Sequence, residues 1–237
     1  MEQNRRETFL ESIQSRTSSI EIINLSLLSF NQAREYQQNR LQLVRSSTVQ
    51  ECIFICEHPH TLSLGKQTKD SHLGTTKILS PEPDVEIVHA DRGGSITYHG
   101  PGQIVMYPVI NLRKRRLGVK NFVELGLKSA QAVLNELGID TTISFEKVGI
   151  WVESTDGFMR KILSVGLRIE KGISNHGFSL NVCPALERFF DFFPCGEPGN
   201  LVSSISFEKP SLKISPQEVG EMWANYFVQS LQAVAKV

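Results

Sequence analysis

A chain of 237 residues is long enough to bury about 70% or more of its unfolded surface, so it needs neither metal nor disulfide staples to fold. Lys plus Arg and Asp plus Glu total 25 each, which excludes both a global basic field for nucleic acid and the acidic excess of a disordered chain. The cysteines, Cys52, Cys56, Cys183 and Cys195, are too sparse for a disulfide scaffold, and no apolar run approaches the roughly 20 residues that span a bilayer. The first twenty residues lack the apolar core of a secretory signal, and Glu2, Glu7 and Glu11 argue against a mitochondrial transit peptide. The expectation is a cytoplasmic protein with a polar, loosely ordered extension over residues 1–21 and a single domain over 22–237.

Residues 20–28 have strand composition, and Ser29 followed by Gln32 has the spacing of a helix capping box. Phe30, Ala33, Leu41 and Val44 then share one helix face. Residues 51–57 contain Cys52-Ile53-Phe54-Ile55-Cys56 without polar alternation, which predicts a strand covered on both faces, with both thiols in the core. That strand ends at Glu57-His58-Pro59-His60. A His-x-His pair can supply two metal ligands, but no carboxylate or cysteine of suitable spacing accompanies it, so His58 reads as a pocket residue and His60 as an exposed one. Residues 66–83 form a polar connection placed to close over a site.

Residues 85–90 and 103–112 are strand candidates on either side of Arg92-Gly93-Gly94-Ser95-Ile96-Thr97-Tyr98-His99-Gly100-Pro101-Gly102-Gln103. Four glycines in twelve residues remove Cβ atoms where a backbone turns sharply or a ligand approaches, and Arg, Thr, Tyr, His and Gln stand between them. The mixture reads as a binding loop held between strands; a merely solvated hairpin is the alternative. The basic run Arg113-Lys114-Arg115-Arg116 follows. Asn121 and Glu124 open a helix that Gly138 stops, with Phe122, Leu125, Val133 and Leu137 inward. Strands are expected over 142–145, 148–153, 161–170 and 173–182, the last two joined at Lys171-Gly172. Ser215-Pro216-Gln217-Glu218 caps a final helix with the stripe Val219, Met222, Trp223, Tyr226, Phe227, Leu231 and Val234, which is core packing. The sum is an α/β (α+β) protein with a mixed β-sheet flanked by helices.

Chemistry needs a nucleophile, and Cys195 in Pro194-Cys195-Gly196 has the most suggestive surroundings, with Cys183 beside Pro184 as its competitor. A nucleophilic thiol requires a histidine or a partly desolvated lysine nearby. His99, His176 and Lys161 are the candidates, and spacing alone does not choose among them.

The residues carry a close resemblance. The pattern Arg-Gly-Gly, two free positions, Thr, aromatic, His, two free positions, Gly, Gln and a later Tyr falls on Arg92, Gly93, Gly94, Thr97, Tyr98, His99, Gly102, Gln103 and Tyr107. Glu57-His58-Pro59, Gly149-Ile150-Trp151, Lys161-Ile162, His176-Gly177-Phe178-Ser179-Leu180-Asn181 and Pro194-Cys195-Gly196 extend it. The chain resembles the lipoyl (octanoyl) transferase family, which acylates proteins in lipoate biosynthesis. The resemblance implies a fold like the biotin/lipoate protein ligase catalytic domain and a catalytic dyad of Cys195 and Lys161. It implies that octanoyl-acyl carrier protein is the donor, and that the acceptors are lysines in the lipoyl domains of 2-oxoacid dehydrogenase complexes and in the glycine cleavage H protein. Substrate-binding roles carry over onto Arg92, Gly93, Gly94, Ser95, Ile96, Thr97, Tyr98 and His99, onto His58, onto Ser164, Val165 and Gly166, and onto His176, Gly177 and Phe178.

Exchange between thioesters is nearly balanced and amide formation from a thioester is downhill, so no ATP, metal or cofactor is expected. Neither is a nucleic-acid or membrane partner, and the enzyme is expected to be a monomer. The basic run fits an acidic carrier protein. The chain departs from the family pattern at Phe30, where relatives often carry tyrosine, and at Glu197, where an aliphatic residue is usual. An ATP-dependent lipoate or biotin ligase and a non-catalytic acyl-binding protein are the alternatives.

Overall fold

The computed structural model describes residues 20–68, 84–154, 157–189 and 201–234. The Pro194-Cys195-Gly196 turn, most of the 66–83 connection and nearly all of the 1–21 extension lie outside the described residues. Seven strands form the main sheet: β1 (Glu21–Leu27), β2 (Cys52–Glu57), β6 (Gln103–Val109), β10 (Ile173–Asn181), β9 (Met159–Glu170), β8 (Gly149–Glu153) and β7 (Thr142–Ser144), in that spatial order. Only the β1–β2 pair is parallel in this sheet. A second sheet has the order β4 (Glu86–His89), β3 (Thr61–Leu64), β5 (Ile96–His99). The stretch expected to be one glycine-rich loop therefore contains a strand. Its residues Ile96 to His99 pair antiparallel with Leu64 to Thr61, because the loop's apolar and aromatic residues are numerous enough to cover a small sheet.

Among the described residues four α-helices complete the fold: α1 (Phe30–Arg45), α2 (Val119–Glu136), the single turn α3 (Ile205–Glu208) and α4 (Pro216–Val234). Helix α1 begins as its sequence dictates, with Ser29 and Gln32 exchanging the two hydrogen bonds of a capping box. Helix α2 differs: Gly118 is its N-cap, with no side-chain cap bond, so Asn121 lies inside the first turn rather than ahead of it. The first turn, from Gly118 to Asn121, is exposed, so its N–H groups are open to solvent without a side-chain cap.

Strand alternation divides the core. Ile53 and Ile55 of β2 and Ile104 and Met106 of β6 join Phe178, Phe122, Trp223 and Phe227 beneath α2 and α4. Cys52, Phe54, Cys56, Val105, Tyr107 and Val109 point the other way, against Ala33, Leu41 and Val44 of α1. All six residues of β2 are buried because both faces are covered, as its uninterrupted apolar run requires. At Gly177 a Cβ would lie 1.9 Å from the Met106 carbonyl, so only glycine lets β10 approach β6 this closely.

Candidate active site

On the α1 face, beyond the end of that helix's cover, the sheet carries a cavity of about 370 Å³ including its open mouth. Ser164, Val165 and Gly166 of β9, His176, Gly177, Phe178 and Ser179 of β10, and Val105 and Tyr107 of β6 form its base. Thr97 and His99 of β5, Arg92 and Phe30 form the rest.

A buried hydrogen-bond chain holds the β5 side. Asn181 Nδ2 donates to the Ser203 carbonyl at 2.9 Å, which leaves its Oδ1 to accept from Gln103 Nε2 at 2.9 Å. Gln103 Nε2 also donates to the Tyr98 carbonyl, so its Oε1 faces His99 Nδ1 at 2.7 Å and that nitrogen carries the proton. His99 Nε2 is then an acceptor, met by the Ser63 hydroxyl at 3.1 Å. Ser63 Oγ in turn accepts from Arg92 Nε and Nη2 at 3.2 and 2.8 Å. Each member's role follows from its neighbour's, and His99 has neither nitrogen left for proton transfer. Burial first, then the charges of its neighbours, hold its pKa well below the usual range, so it is a neutral structural imidazole rather than a base.

Two further imidazoles close one end. His58 Nδ1 donates to the Leu28 carbonyl at 2.8 Å and its Nε2 accepts from the Tyr107 hydroxyl at 2.8 Å; burial lowers its pKa to about 4. His176 Nε2 lies 2.6 Å from Asp91 Oδ1, and Arg168 pairs with the same carboxylate. Its pKa falls to about 3, from burial first and the Arg92, Arg168 and Arg34 charges after it. The His176 backbone has φ 54, left-handed for a non-glycine residue, and Gln37 of α1 holds it by accepting its N–H at 2.8 Å. Phe30 sits at the centre, with ring centroids 5.5, 5.8 and 6.1 Å from His58, His99 and His176.

Lys161 enters from β9. The register of β9 against β8 slips between Ile150 and Trp151, a bulge that puts Ile162 and Leu163 both into the α2–α4 core. Lys161 and Ser164 consequently share the cavity's face. The Lys161 side chain is buried rather than extended into solvent, its ammonium 4.7 Å from the Trp151 ring centroid, a cation–π geometry. Its carbonyl accepts from Ser203 N at 2.9 Å, and Val202 bridges to it, so the strand-like segment that follows residue 200 is anchored on this lysine.

Among the described cysteines, Cys52 and Cys56 are core thiols; burial raises Cys52 to about 12 and Cys56 further. Cys183 is exposed, yet partial desolvation and then the Glu57 carboxylate raise it as well. None of these three environments favours thiolate.

Of the residues proposed from sequence, Arg92, Thr97, His99, Ser164, Val165, Gly166, His176, Gly177 and Phe178 meet around one cavity. Gly93, Gly94, Ser95 and Ile96 do not line it; Gly93 N instead ties the loop to the Leu167 carbonyl of β9 at 3.0 Å. Tyr98 also faces away. It is one residue out of phase with Thr97 and His99, packs on Phe189 and bonds His60 Nδ1, so His60 is half-buried and engaged. His58 stands behind the lining, against Phe30 and Tyr107. Phe30, Val105, Tyr107 and Ser179 were not among the proposed site residues. Val105 and Tyr107 show a period-two signal that points both to one face, whereas helical spacing marks Phe30 as core and only its departure from the family's tyrosine ties it to the pocket. In the basic run, Arg115 is engaged with Glu51 and the Leu231 carbonyl, and Lys114 Nζ with Ser47 Oγ at 2.7 Å.

No helix among the described residues is long and apolar enough to cross a membrane. Comparison with known proteins places this arrangement. The "Octanoyltransferase" of Orientia tsutsugamushi is 36% identical over 184 residues, covering 76% of this chain and 84% of that protein. The "Octanoyltransferase" of Christiangramia forsetii is 30% identical over 228 residues, covering 92% and 97%. The solved structure of a bipartite lipoate protein ligase from Thermoplasma acidophilum shares the fold, with TM-score 0.64 at 12% identity over 92% of this chain and 91% of that one. The family model of the lipoyl protein ligase A/B catalytic domain matches residues 29–228, and the chain belongs to that family.

Proposed function

We propose that this protein is an acyltransferase that moves an octanoyl group from the thioester of octanoyl-acyl carrier protein to a specific lysine of lipoyl domains, by way of Cys195. The single observation that carries the reading is the cavity beside Lys161. Its lining joins Phe30, Val105, Val165 and Phe178 with His99 and His176, imidazoles held neutral, and Ser164, Val165 and Gly166 of its base lie on the strand that bears the lysine. The relatives' name, octanoyltransferase, gives the group transferred.

In the first step the Cys195 thiolate attacks the thioester carbonyl; a new C–S bond forms, the old one breaks, and the carrier's pantetheine sulfur leaves as the thiol, taking its proton from the Lys161 ammonium. In the second, the acceptor's neutral amine attacks the acyl-enzyme, an amide forms, and Cys195 returns as thiolate. The Lys161 ammonium favours the thiolate and, once neutral, takes the proton the incoming amine sheds. Arg92 and the β5 residues form the wall along which the acyl chain lies. The chain acts in the cytoplasm as a monomeric single domain over residues 22–237.

Intact-mass analysis after mixing with octanoyl-carrier protein tests the scheme. The expected product is a hydroxylamine-sensitive octanoyl adduct that is absent in Cys195→Ala and present in Cys183→Ala. An adduct retained by Cys195→Ala, or transfer that demands ATP, overturns it.

A further inference from the structure

The cavity crosses three neighbouring strands and stops. Its base runs from Ser164–Gly166 on β9, through Gly177–Ser179 on β10, to Val105 and Tyr107 on β6. On the next strand, β2, Cys52, Phe54 and Cys56 belong to the buried cluster that Ala33, Leu41 and Val44 of α1 share with Val105 and Tyr107 of β6. The first residue of that helix, Phe30, therefore stands where the open face becomes core.

The wall behind Phe30 is stiff. Its ring is 2% exposed and rests on His58, His99 and His176, each fixed by hydrogen bonds to other elements. Val88 and Ala90 pack on it from the smaller sheet. Helix α1 cannot slide away, because Leu28 N donates to the Glu57 carbonyl, His58 holds the Leu28 carbonyl, and Gln37 holds β10. The span from β9 to β6 is two inter-strand spacings, about 10 Å. That is comparable with an extended eight-carbon chain whose carbonyl lies at the β9 end, on the face shared by Ser164 and Lys161.

We propose that Phe30 sets the acyl-chain length: its ring is the stop against which the methyl end of the chain rests, and the number of strands crossed is the measure. The proposal rests on the octanoyl-transfer reading. A chain with two more methylenes has to displace a ring backed by three anchored imidazoles. A smaller residue at position 30 releases that space, and each methylene then buried adds about fourfold to the specificity constant, the equivalent of about 0.8 kcal/mol.

The experiment measures kcat/KM for hexanoyl-, octanoyl-, decanoyl- and dodecanoyl-carrier protein with the wild type and with Phe30→Leu, Phe30→Ala and Phe30→Trp. Ratios between chain lengths within one preparation are independent of the folded fraction, so a destabilised variant remains informative. Phe30→Ala raises the decanoyl-to-octanoyl ratio by about 15-fold, two methylenes' worth, and Phe30→Leu raises it by less. Phe30→Trp shifts preference the other way, toward hexanoyl. Opposite shifts from smaller and larger residues are what a stop produces and general loosening does not. Unchanged ratios in Phe30→Leu and Phe30→Trp, with octanoyl transfer still measurable, overturn the assignment and leave the transfer reading standing. No transfer of any chain length by the wild type overturns the transfer reading and the assignment with it.

Discussion

The two faces of the seven-stranded sheet use the same strands to opposite ends. Beneath α2 and α4 the residues Ile104, Met106, Phe178, Trp223 and Phe227 interdigitate, and the one polar handle, Trp223 Nε1, is satisfied by Ser129 Oγ at 3.0 Å. On the α1 face the alternate residues of the same strands begin as core, with Val105 and Val109, and end in imidazoles, a guanidinium and open space. The first face derives its stability from apolar area removed from water. The second keeps its shape through directional bonds among buried polar groups, which cost stability unless every one is made. The contrast separates a face whose loss on truncation scales with the apolar volume removed from one whose loss depends on the partner left unbonded.

The largest expected effect comes from acid, which attacks only the second face. Unfolded imidazoles protonate near pH 6.5, whereas folded His58 and His176 stay neutral to about 4 and 3 and His99 is depressed as well. Below about 6.5 the unfolded chain therefore binds more protons, and stability falls as pH falls, by up to about 1.4 kcal/mol per pH unit for each imidazole. Denaturant titrations between pH 7 and 4.5 should show that slope, and His58→Gln with His176→Gln should flatten it. A flat profile in the wild type would break the comparison.

Next in size is a substitution confined to the first face. Trp223→Ala removes a fully buried ring between Phe178 and α2, and should lower the unfolding free energy by about 3–5 kcal/mol in urea titrations. Acyl transfer per folded molecule, assayed well below the melting temperature, should be unaffected. A matching fall in kcat would mean that the two faces are not separable.

Asn181→Leu applies the complementary test. It removes both bonds that join Gln103 to the Ser203 segment, leaves Gln103 Nε2 short of an acceptor, and should cost about 1–3 kcal/mol. Because Ser203 N bonds the Lys161 carbonyl, kcat should drop more than KM changes, while Asn181→Asp, which keeps the acceptor, should recover part of the stability. Equal loss in both variants would show that the chain of bonds does not act as a unit.

Much of this architecture is legible in the linear sequence, and the gaps have physical causes. The Cys52-to-Cys56 run, the capping box at Ser29 and the stripe on α4 declare themselves because local periodicity and burial point the same way. The strand Ile96–His99 hides within a glycine-rich stretch, since its partner Thr61–Leu64 is more than thirty residues away and pairing is a long-range property. Tyr98 is the instructive case: it lies outside the cavity lining. In a loop it could face anywhere, whereas in a strand between Thr97 and His99 the pleat turns it to the other side. Phe30 is missed for the converse reason: helical spacing marks it as core, and nothing local reveals that the core ends there. Asp91, which orients His176, carries no signal until β9, β10 and the glycine stretch are brought together.

The smallest effect joins these observations at one atom. Ser29 Oγ accepts the N–H of Gln32 at 3.2 Å, and Gln32 Oε1 returns a bond to Ser29 N at 3.1 Å, so the helix that presents Phe30 is fixed at its first turn. Ser29→Ala should cost about 1 kcal/mol, read as a small fall in melting temperature. Fraying of that turn loosens the ring without shortening it, so the decanoyl-to-octanoyl ratio should rise by less than in Phe30→Ala. Ser29→Asp, which also caps, should restore both melting temperature and ratio. A ratio that stays fixed while the melting temperature falls would show that His58, His99 and His176 hold the ring without help from the helix cap, and would place the stiffness of the α1 face in its imidazoles alone.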